Sequence, residues 1–197
     1  MTRDEFWDII EEARSAVGKS SEIPGWLKCR LAALPEAEII DFGSHFRECE
    51  GISYDARVWL AAAVILGGCG DDSFWDFRGW LIAQGRKVFE AALAEPDSLA
   101  ELELERFDGE PRLEAILYVG IDAFCRRLGR DQCDFEARQR YEALQPPWIH
   151  PALQHEELLK VSDEDAKKLF PKLAASFPSG IRATGREAEP PLFPPCD

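Results

Sequence analysis

The hydrophobic and polar positions at the beginning of the chain have the spacing of an amphipathic helix. Thr2 and Glu5 are placed as in a capping box, in which a hydroxyl and a carboxylate each accept a hydrogen bond from a backbone N–H group. One apolar stripe at helical spacing follows them, formed by Phe6, Ile9, Ile10, Ala13 and Val17. This pattern predicts a first helix that ends near Gly18.

The same helical periodicity recurs along most of the chain, and no stretch alternates apolar and polar residues for long enough to predict a strand. The sequence therefore predicts an all-α protein. The further predicted helices cover residues 24–34, 35–49, 53–65, 72–82, 86–94, 98–106, 111–128, 135–144 and 162–177.

One predicted helix stands out because residues 58–66 are apolar on every side. This is typical of a helix that the rest of the core surrounds, so we expect it to be the central helix. Ser53 is its predicted N-cap, and Gly67 ends it because glycine tolerates the left-handed conformation. Gly79 and Gly85, in and after the next helix, indicate either close helix packing or a break.

The composition changes after residue 144, and nine of the thirteen prolines lie beyond it. We expect one helical domain over residues 1–177, made of a core over 1–144 and a C-terminal docking segment over 145–177. A Pro-rich, flexible tail is predicted for residues 178–197. Pro171 leaves two alternatives open, because it either kinks the last helix or begins a new one.

The chain of 197 residues has a formal net charge of −14, from 23 basic and 37 acidic residues. Such a surface repels phosphate backbones and anionic lipids, which argues against binding to nucleic acid or to a membrane. The first residues lack the pattern of a secretion signal, and the longest apolar run has nine residues, about half of what crosses a bilayer. We therefore expect a cytoplasmic protein. Its acidic surface has two alternative interpretations, since it either favours a basic protein partner or serves solubility alone.

The six cysteines lie far apart in the sequence, and no two form a C-x-x-C pair. Zinc-finger spacing is therefore absent, and we expect no metal site and no cofactor. Cys69 precedes a predicted helix start, which favours a thiolate, but the acids Asp71 and Asp72 beside it oppose one. With Asp76, these acids are also a candidate Mg²⁺ site, although the calcium-loop pattern is missing.

Residues 67–85 combine glycines, acidic residues, two tryptophans and an arginine more closely than any other segment. Their sequence is G-G-C-G-D-D-S-F-W-D-F-R-G-W-L-I-A-Q-G. One hypothesis is a ligand pocket that has carboxylates at its rim, aromatic walls and an arginine that clamps an anion or carboxylate. The candidate ligand-binding residues are Asp71, Asp72, Trp75, Arg78 and Trp80.

The competing interpretation of these residues is structural. Asp72 would then cap the helix, Asp71 would complement its dipole, and both tryptophans would belong to the core. Arg78 would make a buried pair. His45, on the predicted helix over 35–49, is likewise interpreted as a hydrogen-bonded core histidine rather than as a ligand.

Five short segments carry a resemblance to a known family. They are Phe6-Trp7, I-I-D-F-x-x-H-F-R at 39–47, the stretch 67–85, P-D-S-L-A at 96–100 and Pro171-Lys172-Leu173. Together they resemble the bacterial family of uncharacterised proteins known as domain of unknown function 4240, over residues 1–177. That family has no established activity, so the resemblance implies no catalytic or binding residue.

The sequence favours a non-enzymatic protein that binds or regulates a protein partner through an acidic surface and an aromatic-lined groove; an inhibitor of a basic toxin is one form of it. The competing class is an enzyme or small-ligand binder that uses residues 67–85, and a third is a scaffold in a larger assembly. No G-x-S-x-G motif is present, and no catalytic residue is predicted. A ligand site requires Asp71 and Arg78 to converge on a pocket, whereas an interaction protein requires an exposed apolar surface with an acidic rim.

Overall fold

The computed structural model describes residues 1–102, 111–131, 134–147, 151–161 and 163–177. These residues form helices and one isolated β-bridge, which confirms the predicted all-α class. The α-helices are α1 (Arg3–Ala16), α2 (Ile23–Ala32), α3 (Glu36–Ile52), α4 (Ala56–Leu66), α5 (Asp71–Ala83), α6 (Arg86–Ala94), α7 (Val119–Arg127), α8 (Phe135–Leu144), α9 (Asp163–Leu169) and α10 (Pro171–Ser176). Short 3-10 turns cover Ser20–Glu22, Pro96–Glu101, Glu114–Tyr118 and Glu156–Lys160. Within this part of the chain, each helix is too short or too polar to cross a bilayer.

The first helix begins as the capping-box pattern predicts. The Glu5 backbone N–H donates to the Thr2 hydroxyl oxygen (3.2 Å), and the Glu5 carboxylate accepts from the Thr2 backbone N–H (2.7 Å). The apolar stripe of α1 packs against α2 and α3, and Phe6 and Ile10 are fully buried there. The helix ends at Ala16, two residues before Gly18, which confirms the predicted end.

The most deeply buried helix is α5, and not the helix that the sequence predicts at the centre. Every residue from Phe77 to Ala83 is buried. The fully apolar run over residues 58–66 lies in α4, yet Trp59 and Leu60 are only partly buried. The neighbours of α5 are α3, α4, α6 and a 3-10 turn, and those of α4 are α5, α10 and two 3-10 turns, but α4 keeps one side partly open.

Two glycines have the roles that their positions predict. A Cβ atom at Gly79 would lie 2.8 Å from Ile116 Cγ2 and 3.2 Å from the Leu113 carbonyl oxygen, so close packing is the correct alternative for this glycine. Gly85 has a φ of 84° and supplies the break between α5 and α6.

Two predicted helix starts differ from the structure. The carboxylate of Asp55, and not Ser53, caps α4, because it accepts from the Arg57 backbone N–H (2.8 Å). Ser53 lies directly after α3, and its hydroxyl donates to the Cys49 carbonyl oxygen (2.8 Å). The helix predicted over residues 111–128 becomes α-helical only at α7, after a 3-10 turn.

The predicted cap of α5 is also wrong, which changes the expected effect of a substitution there. Gly70 is the N-cap and makes no side-chain hydrogen bond, so Asp72→Ala should change the free energy of unfolding by at most about 0.5 kcal/mol. Asp134→Ala is the matched comparison, because the Asp134 carboxylate caps α8 by accepting from the Ala137 N–H (2.9 Å). Asp134→Ala should lower the free energy of unfolding by about 1 kcal/mol. Denaturant unfolding measures both values, and equal losses would restore Asp72 as a cap.

The C-terminal helices are attached to the core by a buried carboxylate. Asp97 accepts from the backbone N–H groups of Lys172 (3.0 Å) and Leu173 (2.8 Å), so a distant turn caps the start of α10. Pro171 therefore begins a new helix, which settles the alternative that the sequence leaves open. Ser162, the predicted cap of the last helix, and the predicted tail over 178–197 lie outside the described residues.

A second contact holds the C-terminal segment at the start of α4. The Ala56 N–H donates to the Gln154 carbonyl oxygen (2.9 Å), and the Gln154 N–H donates to the Tyr54 carbonyl oxygen (3.2 Å). These two bonds accompany the isolated bridge, and His155 Nδ1 lies 3.1 Å from the Asp55 carboxylate. Residues beyond 150 thus contact the core at two separate places.

Candidate functional site

The five candidate ligand-binding residues on α5 lie at different depths. Asp71 and Asp72 are exposed in its first turn, whereas Arg78 and Trp80 are buried. Trp75 is 51% exposed, so the interpretation that places it in the core is wrong. The helix turns Trp75 and Arg78, which are one turn apart, toward the end of α3.

Glu50, near the end of α3, is the neighbour that Trp75 and Arg78 share. Trp75 Nε1 donates to Glu50 Oε1 (2.7 Å), and Arg78 Nη1 donates to the Glu50 backbone carbonyl oxygen (2.7 Å). The Arg78 guanidinium also lies 5.1 Å from the ring centroids of Tyr54 and Phe74. The buried contact of Arg78 is therefore with α3, and the structure does not pair this arginine with an acid of its own helix.

Glu50 is 8% exposed, and this burial changes the proton affinity of its carboxyl group. Burial raises its pKa above the ordinary value of 4.5, while the Trp75 hydrogen bond and the charges of Arg78 and Arg47 oppose this shift. Burial also lowers the pKa of Arg78. Perturbed titratable groups beside an opening in the surface are candidates for functional sites.

A cleft of about 330 Å³ opens beside Glu50. Its walls come from α3, α5, α7, α8 and the 3-10 turn over Glu114–Tyr118. Charged residues at the cleft are Arg47, Glu50, Arg138 and Glu142, and Arg47 forms an ion pair with Glu142. The aromatic side chains that line it are Phe42, Phe46, Trp75, Tyr118 and Tyr141.

The position of Tyr141 depends on two glycines in neighbouring helices. A Cβ atom at Gly43 of α3 or at Gly120 of α7 would collide with the Tyr141 hydroxyl group. The ring of Tyr141 is buried, and burial raises the pKa of its phenol, which keeps the hydroxyl neutral. This wall of the cleft is therefore closely packed and uncharged.

Three exposed aromatic side chains, which we call the aromatic rim, border this part of the surface. They are Trp75, Tyr118 (44% exposed) and Phe135 (70% exposed). Trp75 and Tyr118 line the cleft, and Phe135 lines a shallow hollow that shares Ile121 and Glu142 with it. The rim therefore runs along one continuous surface.

Other candidate chemistry is placed less favourably. Burial raises the pKa of the Cys69 thiol to about 12, which keeps it protonated at neutral pH. His45 Nε2 lies 3.2 Å from the Met1 carbonyl oxygen, so the predicted hydrogen bond is present, but the residue is half-buried rather than part of the core. Across the described ranges, no group of three or more His, Cys, Asp or Glu side chains is placed to hold a metal ion.

Sequence reasoning missed Glu50, although the chain carries a signal for it. The residue lies on the same stripe of α3 as Phe42, Phe46 and Cys49, all of which are buried. A charged side chain on an apolar stripe is unusual, because burying an unpaired carboxylate costs free energy. Sequence reasoning could have found Glu50 from this exception to the pattern.

Glu50→Gln should change how stability depends on pH. The raised pKa means that, just above pH 4.5, the folded protein holds a proton that the unfolded chain has released. The wild-type free energy of unfolding therefore falls as the pH rises through this window, and glutamine does not share this loss. We expect the variant to gain stability relative to the wild type as the pH rises above about 4.5. Denaturant unfolding at several pH values measures the difference.

Glu48→Gln is the control for this prediction, because Glu48 lies two residues earlier on α3 and is exposed. Its stability should follow that of the wild type across the same range. A Glu50→Gln curve that runs parallel to the wild type would contradict the assignment of Glu50 as a buried carboxyl with a raised pKa.

Comparison with known proteins gives one match. A family model described as a protein of unknown function (DUF4240) matches residues 1–126, which include α1 to α6, Glu50 and nearly all of α7. No curated protein and no solved structure matches the chain. Residues 127–177, which the resemblance also includes, lie outside the matched range. Because the model matches 126 of the 197 residues, the chain belongs to the DUF4240 family of proteins of unknown function.

Proposed function

We propose that this chain is a non-enzymatic protein-binding module of the cytoplasm, in which the cleft beside Glu50 and the aromatic rim dock a basic protein partner. The observation that carries the proposal is the exposure of Trp75 and Tyr118 at the cleft and of Phe135 at the hollow that adjoins it. Aromatic side chains at the centre of a contact surface commonly supply most of the binding free energy.

The charge of the chain supports a basic partner. A net charge of −14 attracts cationic proteins over several ångströms and raises the rate of association, an effect that salt weakens. Inhibition of a basic enzyme or toxin is one regulatory form that such a module takes.

A small-ligand pocket built from α5 alone has less support. Asp71 and Asp72 lie exposed in the first turn, while Arg78 is buried and donates to the Glu50 carbonyl oxygen. These groups therefore do not converge on a pocket. A scaffold role has no specific observation in its favour.

The test is capture of partners from native lysate by the tagged chain and by three variants. Trp75→Ala and Phe135→Ala should lose the partner that the wild type retains. Leu169→Ala is the control, because Leu169 is 45% exposed on α9 and does not line the cleft. A partner that both rim variants retain as well as the control does would contradict the proposal.

A further inference from the structure

The cleft contains one carboxylate that is only partly compensated. Glu50 is a buried residue, and Trp75 Nε1 is the one hydrogen-bond donor to its side chain in the part of the chain that the structure describes. A carboxylate has about four acceptor positions, so most of the acceptor capacity of Glu50 is left for a ligand in the cleft.

The neighbouring cations do not neutralise this carboxylate by direct contact. Arg78 donates to the backbone carbonyl oxygen of Glu50, and the Arg47 guanidinium forms its ion pair with Glu142. Arg138 also lines the cleft, so the possibility of an anionic ligand has to be tested beside that of a cationic one. A cation that binds a buried carboxylate directly stabilises it.

The walls of the cleft favour a cation that has an apolar stem. Phe46, Trp75 and Tyr118 present aromatic surface, which attracts cations and also packs against methylene groups. The volume of about 330 Å³ lies at the lower end of the range for ligand pockets, and it leaves room for a single long side chain.

The geometry favours an ammonium over a guanidinium. Trp75 Nε1 already takes one of the two acceptor positions of Glu50 Oε1, and this hinders the planar fork of arginine, which binds best to both oxygens of a carboxylate at once. An ammonium group acts as a point charge and can bind the remaining oxygen without displacing the indole N–H.

We infer that the cleft is a subsite for one lysine side chain of the partner, whose ammonium binds the Glu50 carboxylate and whose methylene stem lies between the aromatic side chains. This inference rests on the proposed function, since it names the group of the basic partner that enters the cleft.

The test uses blocked amino acids as probes and the Trp75 indole N–H resonance as the reporter. That resonance is assigned in spectra of the ¹⁵N-labelled protein by comparison with Trp75→Phe, and it reports on the hydrogen bond to Glu50 directly. N-acetyl-lysine methylamide should shift it with a Kd at least about tenfold lower than those of the norleucine, arginine and glutamate analogues. Equal affinity for any of these three analogues would overturn the inference, and this comparison needs no variant of Glu50.

Glu50→Gln and Glu48→Gln provide the matched pair, because each removes one negative charge from α3. The first should abolish the preference for the lysine probe, and the second should leave it unchanged; a preserved preference in Glu50→Gln would overturn the inference. If the lysine probe has no preference while Trp75→Ala still loses the captured partner, the subsite is wrong and the proposed function stands. If the probe binds selectively while both rim variants retain the partner, the subsite is correct and the proposed function is wrong.

Discussion

Trp80→Ala should lower the free energy of unfolding by about 3–5 kcal/mol, one of the two largest effects that we expect of a single substitution. The side chain is 1% exposed on the buried half of α5, and its ring lies 5.2 Å from that of Phe77. Alanine would leave a cavity at the centre of the core, where the surrounding helices cannot collapse fully to fill it. Denaturant unfolding, with the midpoint and slope fitted for each protein, measures the loss.

Trp75→Ala is the matched control, because it removes the same side chain from the same helix. Trp75 is half exposed, and its removal leaves the Glu50 carboxylate without this hydrogen bond, so the expected loss is about 1–3 kcal/mol. Similar losses in the two variants would contradict the conclusion that the two tryptophans have different roles, one in the core and the other at the cleft.

Leu173→Ala should lower the free energy of unfolding by about 2–5 kcal/mol, because this leucine of α10 is fully buried against the core. The measurement bears on the proposed extent of the domain, since Leu173 lies in the segment over 145–177. If that segment is part of the cooperative unit, the loss appears in the global unfolding transition.

Leu169→Ala makes the same chemical change at an exposed position on the preceding helix. It should alter the free energy of unfolding by no more than about 0.5 kcal/mol. A Leu173 variant that unfolds like the Leu169 variant would show that the C-terminal segment adds nothing to the stability of residues 1–144, and the domain would then end earlier than proposed.

Local signals in the sequence predicted much of the helical structure, because each of them acts over a few residues. The capping box at Thr2 and Glu5, the break at Gly85 and the helix over Phe135–Leu144 are all present in the structure. Such features depend on backbone hydrogen bonds and on side chains one turn away, and a sequence pattern records both.

The position of each helix in the core was harder to predict. The run over residues 58–66 is the most apolar, yet α4 has a partly open side, while α5 is buried although it contains Arg78. Hydropathy describes what environment a helix tolerates, whereas burial depends on which of its sides the neighbouring elements cover. Gly79 gave a correct local hint, since it allows the turn near Ile116 to approach α5 closely.

The candidate site was predicted in part. Residues 67–85 include Trp75 and Arg78, which both contact Glu50, but Glu50 itself lies on another helix. The wall around Tyr141 requires Gly43 and Gly120 to come together from distant parts of the chain. Contacts of this kind depend on tertiary packing, and one sequence read alone does not record them.

The most direct test of the central claim, that the partner docks at the cleft, is photo-crosslinking in living cells from two positions of equal exposure. A benzoylphenylalanine at Tyr118 lies on the aromatic rim, and one at Leu169 lies on α9 outside the cleft; the natural side chains are 44% and 45% exposed. The account predicts a crosslink to a basic protein from position 118 and none to that protein from position 169. A crosslink to the same protein from position 169 alone, or from neither position, would contradict it.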